Sequence, residues 1–185
     1  ASVGGLEHVP VEGGFVLAAN HQSHYDGLFL ISFIPRLLQA AAKRELYYIL
    51  PLGLAFWAIG FVPVHRHDPK RAADSVSTGV KVLRSGGCML VFPEGTRTDG
   101  VRVHSFKTGA ARMAIQGGVP ILPVGIAGTE GVMAAKSWFV RPGVIRFEVG
   151  EPISSQNYVF DERRALSDQA HSAVHGLKAL AASKI

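Results

Sequence analysis

The sequence has one cysteine, Cys88, in 185 residues, and only 18% of its residues are charged. A single thiol excludes an internal disulfide, and without cysteine pairs a cysteine-based zinc site has no support. The chain also lacks the G-x-S-x-G elbow of many serine hydrolases. Its glycines at Gly125–Gly131 do not have the spacing of a dinucleotide fingerprint. Because Cys88 lies in the apolar run CMLVF, we expect it to be a small buried hydrophobic residue.

Acidic residues are the scarcer charged type: 14 Asp and Glu stand against 19 Lys and Arg, which gives a formal net charge of +5. A positive protein suits an anionic partner, such as a phosphate, an acidic lipid headgroup or an acidic carrier protein. No cluster of basic residues is interleaved with aromatics, so nucleic acid is not the expected partner. Hydrophobic residues make up 48% of the chain, which predicts apolar surface for a ligand or a membrane.

One uncharged stretch, Leu46–Val64, approaches the length that spans a bilayer. Prolines and glycines interrupt it, and basic residues flank both of its ends. We therefore interpret it as a helix over Glu45–Ile59 followed by a buried strand, with an apolar face that contacts lipid. No repeat or interior linker divides the chain, so residues 1–185 are predicted to form one domain.

Short apolar runs, which are typical of buried strands, alternate along the chain with segments of helical periodicity. Strands are predicted at Gly14–Asn20, Leu37–Ala42, Phe61–Val64, Cys88–Phe92, Ile121–Ala127 and Ile145–Val149. Helices are predicted from Ser23 or Asp26 to Ile34, from Asp68 to Gly86, over Lys107–Gln116 and over Ala165–Ala182. This alternation is typical of an α/β fold with a mostly parallel central sheet flanked by helices. Ligands bind such sheets beyond the carboxyl ends of strands, where NHQSHYD and PEGTRTDG both fall.

The polar stretch NHQSHYDG, Asn20–Gly27, has four readings: a helix cap, a metal site, an acid–base pair or a solvated loop. On one helix His21 and Asp26 would point about 140° apart, and on one strand they would face opposite sides. They meet only if the chain turns between them, and the carboxylate would then orient an imidazole acting as a general base. The histidines of HQSH and HRH keep a metal site open, although Arg66 beside them disfavours it.

The second polar stretch, VFPEGTRTDG, follows the predicted strand Cys88–Phe92. Gly95 allows the backbone to approach a ligand closely, and Arg97 offers a planar fork that suits a phosphate. Glu94 could orient that arginine or accept from a hydroxyl. A plain turn with a structural Arg–Glu pair is the alternative. Lys107, predicted in the first turn of a helix, and Arg66 are further candidates for an anion.

Four ordered blocks resemble the glycerophospholipid acyltransferases typified by 1-acylglycerol-3-phosphate acyltransferase. NHQSHYD is similar to the N-H-x-x-x-x-D block of that family, and GFVPVHR to its second block. FPEGTR matches the third block letter for letter, and VPILPV resembles the fourth. KREL and FKTGAARMA are also similar to family sequence. Together the blocks cover about Val16–Val124.

The resemblance implies transfer of a fatty acyl group from acyl-CoA or acyl carrier protein to the hydroxyl of a lysophospholipid-type acceptor. It makes His21 the general base and Asp26 its orienting partner. It assigns the acceptor and phosphate site to Arg66, Glu94, Gly95, Thr96 and Arg97, with Lys43 and Lys107 as weaker basic candidates. It implies no metal and no cofactor beyond the acyl donor. It gives His24, inside the first block, no role.

The resemblance also implies a place at a membrane. Family members commonly carry N-terminal anchoring helices, and no such helix precedes the blocks in this sequence. We therefore expect the protein to sit at the cytoplasmic face of an anionic membrane, either through segments absent from this sequence or through surface patches. Two other functions stay open: a lipid- or carrier-binding module without catalysis, and a metal-dependent phosphoesterase.

Overall fold

A computed structural model describes residues 1–43, 48, 50, 54, 57, 61–64, 69–133 and 139–185. Its strands are β1 (Ser2–Gly4), β2 (Phe15–Ala19), β3 (Leu38–Lys43), β4 (Val62–Val64), β5 (Cys88–Val91), β6 (Ile121–Ala127) and β7 (Arg146–Val149). Its α-helices are α1 (Asp26–Phe33), α2 (Pro69–Arg84), α3 (Gly109–Gly117), α4 (Thr129–Val132) and α5 (Arg163–Ala182). Single 3₁₀ turns lie at Leu6–His8 and Phe160–Glu162.

The strands of the described residues form one sheet in the order β1-β7-β6-β2-β5-β3-β4. The five strands from β6 to β4 run parallel, whereas β7 is antiparallel to β6 and carries β1 parallel to itself. The prediction of an α/β fold with a mostly parallel sheet is therefore confirmed. The carboxyl ends of β5, β2 and β6 lie side by side, since Ala18 pairs with both Val91 and Pro123.

Side chains alternate across β2 and supply two hydrophobic cores, one on each face of the sheet. Val16 and Ala18 face a core formed with α2, α3 and α5. Phe15, Leu17 and Ala19 face the other core, which is closed by α1. A central strand that is buried on both faces must be apolar throughout, and all five residues of β2 are buried. Cys88 is buried in the second core, as expected.

Most predicted elements agree with the structure to within two residues, but some expectations were wrong or incomplete. Helix α3 begins at Gly109, not at Lys107. Lys107 precedes the N-cap residue Thr108, and its N–H donates to the Pro93 carbonyl at 2.9 Å. Strand β1 and the four-residue α4 were not predicted, since both are too short to show a period. The predicted helix Glu45–Ile59 falls largely outside the described residues. Within the described chain, no helix has the length and hydropathy to cross a bilayer.

Gly125 in β6 lets helix α5 approach the sheet closely. A Cβ atom built at Gly125 would lie 2.2 Å from the Lys178 backbone nitrogen and 2.3 Å from the Leu177 carbonyl carbon. Backbone atoms of a packed helix cannot rotate away from such a contact as a flexible side chain can. The tight packing of α5 on the middle of the sheet therefore requires glycine at this position.

We predict that Gly125→Ala lowers the free energy of unfolding by about 1–3 kcal/mol, the usual cost of overpacking. The matched control is Gly176→Ala in α5, where an added Cβ would meet no atom within 4 Å. That variant should be neutral or more stable by up to about 1 kcal/mol, because alanine is the better helix former. Urea denaturation measures both, and equal stability of Gly125→Ala and the wild type would contradict the packing argument.

Candidate active site

The two polar stretches meet at the carboxyl edge of the sheet. The first forms the loop from Asn20 to α1, and the second follows β5. Asn20 joins the first loop to β6: its Nδ2 donates to the Ile126 carbonyl at 3.0 Å, and its Oδ1 accepts from the Ile126 N–H at 2.8 Å. This buried amide extends the pairing of β2 with β6 past the last residue of β2. Sequence reasoning gave Asn20 no role, because the partners of an amide cannot be read from one strand.

His21 and Asp26 face each other in this loop. The His21 Nδ1 lies 2.8 Å from the Asp26 Oδ2. The same oxygen accepts the backbone N–H of Gln22 at 2.7 Å and of Ser23 at 2.9 Å. The side chain of Asp26 is completely buried. Asp26 is the first residue of α1, and neither its carboxylate nor the Ser23 hydroxyl caps the helix. The helix-cap reading is therefore wrong, and the carboxylate instead orders the loop before it.

The imidazole of His21 is fixed on a second side by Phe92. The two rings stack with centroids 4.0 Å apart and planes 14° apart. Since an ionised carboxylate can only accept, Nδ1 carries the hydrogen, and Nε2 keeps the lone pair. The side chain of His21 is 14% exposed. The ring is thus held in one tautomer and one orientation, with enough exposure for a substrate to reach it.

Glu94 joins the two loops through a buried carboxylate. Its Oε1 accepts the His21 backbone N–H at 2.8 Å, and its Oε2 accepts the His104 N–H at 2.8 Å. In return, the Thr98 N–H donates to the His21 carbonyl at 2.8 Å. Burial raises the pKa of Glu94, although the N–H groups of His104 and His21 act in the opposite direction. The carboxylate therefore fixes the backbone of the base, a role different from the expected contact with Arg97 or a hydroxyl.

The turn Glu94–Arg97 carries the predicted phosphate site. Gly95 has φ of +76°, and a Cβ there would lie 2.7 Å from the Lys107 Nζ. Lys107 is therefore a neighbour of the turn, although it does not sit in the first turn of a helix as expected. Thr96 is exposed and Arg97 is half-buried. The Gly95 N–H donates to the Phe92 carbonyl at 3.1 Å, so this amide is not available as an oxyanion donor.

Three predicted features lie wholly or partly beyond the described residues. Arg66 falls outside them, as do His65 and His67 of the possible metal site. Lys43 ends β3, where its backbone pairs with Val64; its side chain is not described. The segment expected to line an acyl tunnel, Leu46–Trp57, is described only at four exposed residues: Tyr48, Leu50, Leu54 and Trp57.

His24 is a site residue that the sequence interpretation left without a role. Its Nε2 contacts the Nη1 of Arg97, so it links the two loops from the solvent side. The short spacing between His21 and His24 was interpreted only as a possible metal-binding motif. Within the described ranges no three His, Cys, Asp or Glu side chains are grouped closely enough to hold a metal ion.

This arrangement could take a proton from a hydroxyl and bind an anion at the same edge of the sheet. The oriented imidazole of His21 could accept the proton, and the buried carboxylate would stabilise the resulting imidazolium. Arg97 and Lys107 supply positive charge from the neighbouring turn. An oriented histidine base beside a cationic turn, at the carboxyl edge of an α/β sheet, defines a group-transfer or hydrolytic enzyme that activates an alcohol or water.

Comparison with known proteins identifies the family within this class of enzymes. The model of the Acyltransferase family matches residues 1–127, and the chain belongs to that family. 1-acyl-sn-glycerol-3-phosphate acyltransferase alpha of Mus musculus is 32% identical in an alignment of 177 residues that covers 93% of this chain and 61% of that protein. 1-acyl-sn-glycerol-3-phosphate acyltransferase of Pseudomonas aeruginosa is 33% identical over 156 residues, 83% of this chain and 59% of that protein.

A solved structure supports the same family. The crystal structure of the 1-acyl-sn-glycerophosphate (LPA) acyltransferase PlsC from Thermotoga maritima superposes with a TM-score of 0.81 at 30% identity. The match covers 96% of this chain and 71% of that one. The expected family and fold are thereby confirmed. The chain spans about three fifths of the length of the two relatives from mouse and Pseudomonas.

Proposed function

We propose that the protein is an O-acyltransferase that moves a fatty acyl group from acyl-CoA or acyl carrier protein to the hydroxyl of 1-acylglycerol 3-phosphate, giving phosphatidic acid. The observation that carries the proposal is the 2.8 Å contact between His21 Nδ1 and Asp26 Oδ2, at the sheet edge where Arg97 also lies. Membership of the Acyltransferase family and the names of the relatives support this acceptor.

The reaction needs one base and no covalent enzyme intermediate, because a thioester is already activated. His21 Nε2 takes the hydroxyl proton while the hydroxyl oxygen bonds to the thioester carbonyl carbon. The tetrahedral intermediate then loses the thiolate as the C–S bond breaks, and the imidazolium returns its proton to the sulfur. Asp26 stabilises the imidazolium through the Nδ1 hydrogen. This route uses no metal.

The protein must hold the acceptor with its hydroxyl within reach of His21. Arg97 would form paired hydrogen bonds with its phosphate, and Lys107 beside Gly95 would add positive charge. Arg66 and Lys43 are proposed as further basic contacts on the strength of the family resemblance. Thr96, exposed in the turn, offers a hydroxyl for a polar group of the acceptor. Another lysolipid or glycerol 3-phosphate presents the same phosphate and hydroxyl, so the acceptor is identified by a substrate panel.

We predict that the purified protein transfers labelled acyl groups to 1-acylglycerol 3-phosphate, and that His21→Ala lowers kcat by about 100- to 10,000-fold, the usual contribution of a general base. The measurement is lipid mass spectrometry after incubation with acyl-CoA and a panel of lysolipids and glycerol 3-phosphate. The matched control is His175→Ala on α5, an exposed histidine, which should retain full activity.

Each other outcome of this assay has a definite meaning. Near wild-type turnover by His21→Ala, with circular dichroism showing a folded protein, would reject His21 as the base. Binding of lipid without turnover by the wild type would indicate a non-catalytic module. Loss of activity on strong chelation would contradict the metal-free route.

We further predict that Arg97→Ala raises the acceptor KM about 10- to 100-fold, in line with the 1.5–3 kcal/mol typical of a hydrogen bond to a charged group. The KM for acyl-CoA should change by less than about twofold. The control is Arg84→Ala, whose guanidinium contacts the Gln116 carbonyl at the opposite edge of the sheet. Equal increases in the KM of both substrates would contradict a phosphate contact specific to the acceptor.

We also propose that the protein sits at the cytoplasmic face of an anionic membrane and docks through a patch around α4. Three segments converge there: Gly100 approaches Glu130, the Arg141 N–H donates to the Val132 carbonyl at 2.8 Å, and Gly128 approaches Val144. The exposed apolar side chains of this α4 patch are Val101, Phe139, Val140, Val144 and Ile185. Arg102 and Arg141, both exposed, flank them. The combination of apolar and basic side chains is complementary to anionic lipid.

We predict that the double substitution Val140→Ser with Val144→Ser reduces binding to phosphatidylglycerol vesicles by at least about tenfold, since each buried valine contributes about 1.5 kcal/mol or more. Vesicle co-sedimentation measures the effect. The matched control is Val11→Ser with Val159→Ser, two exposed valines away from α4, which should bind like the wild type. Equal binding by the two double variants would exclude the α4 patch as the docking surface.

A further inference from the structure

His24 occupies the loop between the catalytic histidine and α1, and its ring meets the side chain of Arg97. The contact joins the Nε2 of His24 to an Nη1 of the guanidinium. A guanidinium has only hydrogen-bond donors, so the imidazole nitrogen must be the acceptor. His24 is therefore neutral in this contact, with its hydrogen on Nδ1. A protonated His24 could offer Arg97 only an N–H and a positive charge.

The surroundings of His24 favour its neutral form. Partial burial lowers the pKa of His24, and the positive charge of Arg97 and the His21 ring lower it further, while Asp26 acts in the opposite direction. Among the described residues these are the charged and titratable groups that act on His24. Above its pKa the imidazole accepts from Arg97. Below its pKa, proton uptake replaces that attraction with repulsion between two cations.

The backbone on either side of this contact is already fixed. Gln22 and Ser23, just before His24, donate to Asp26. Thr98, just after Arg97, donates to the His21 carbonyl. The long side chain of Arg97 has many rotamers, and a ligand must restrict them unless a protein contact has already done so. The His24 ring supplies such a contact from the same loop that holds the catalytic base.

We infer that His24 is a positioning residue: it holds the Arg97 guanidinium toward the acceptor phosphate while it is neutral, and its protonation replaces this contact with repulsion and weakens acceptor binding. This inference rests on the proposed role of Arg97. It assigns His24 no contact with the reacting atoms. The effect is therefore expected in the acceptor KM and not in kcat.

The test compares His24→Leu with His24→Gln. Leucine removes the acceptor atom, and we expect the acceptor KM to rise about 5- to 20-fold at pH 8 with kcat changed less than twofold. Glutamine places a non-titrating amide oxygen near the position of the Nε2 atom, so it should recover most of that loss. Because His24 is exposed, both variants should fold, and circular dichroism checks that they do.

The pH profile separates a positioning role from a merely structural one. As the pH falls through the pKa of His24, the acceptor KM of the wild type should rise more steeply than that of His24→Gln. The acceptor phosphate also titrates, but it does so equally in both assays, so the ratio of the two KM values isolates His24. His175→Gln on α5 is the control and should follow the wild type at every pH.

The results also distinguish this inference from the proposed function. If Arg97→Ala raises the acceptor KM while His24→Leu stays within twofold of the wild type, the positioning role is overturned and the phosphate contact stands. A KM ratio of wild type to His24→Gln that is constant with pH overturns the proton-dependent loss of this contact. If Arg97→Ala leaves the acceptor KM unchanged, both the phosphate contact and the role of His24 are rejected.

Discussion

The buried carboxylate of Asp26 is the interaction on which the rest of the site depends. One of its oxygens accepts the His21 imidazole and two backbone N–H groups, all within 2.9 Å. A carboxylate removed from water is costly unless hydrogen bonds stabilise its charge. Here the donors belong to the loop that the carboxylate must order, so the same bonds that stabilise the charge also set the shape of the loop. The imidazolium formed on proton uptake would add the electrostatic complement that the buried charge otherwise lacks.

A second buried carboxylate, Glu94, extends this order from one loop to two. It accepts from the backbones of His21 and His104, so it joins the loop of His21 to the turn after β5. Backbone N–H groups donate directional hydrogen bonds but carry no net charge. They therefore leave the net charge of the site unchanged. Positive side chains such as Lys107 can then act on a bound anion. The turn favours glycine at position 95 because its φ is +76°, and the end of the Lys107 side chain lies beside it.

Sequence reasoning could predict the sheet, the two loops and the His21–Asp26 pair, because apolar period, turn residues and spacing are local properties. It could not predict Asn20, Glu94 or His24 in their observed roles. Asn20 acts on Ile126, more than one hundred positions later, and Glu94 acts on a backbone N–H of the other loop. Lys107 was misplaced because the helix begins two residues later than predicted, and the Lys107 N–H donates to the Pro93 carbonyl. Contacts between loops depend on the order of the strands in the sheet, and this order cannot be predicted from the sequence of either loop alone.

The spacing of the N-H-x-x-x-x-D block has a physical reason in this loop. Asp26 Oδ2 receives the side chain five residues before it and the N–H groups four and three residues before it. The chain must leave β2, turn so that two consecutive N–H groups point inward, and enter α1 within this length. His24 lies at the outer side of that turn, where its ring faces Arg97. The constraint that orients the base therefore also fixes which residue of the loop can meet the arginine of the second loop.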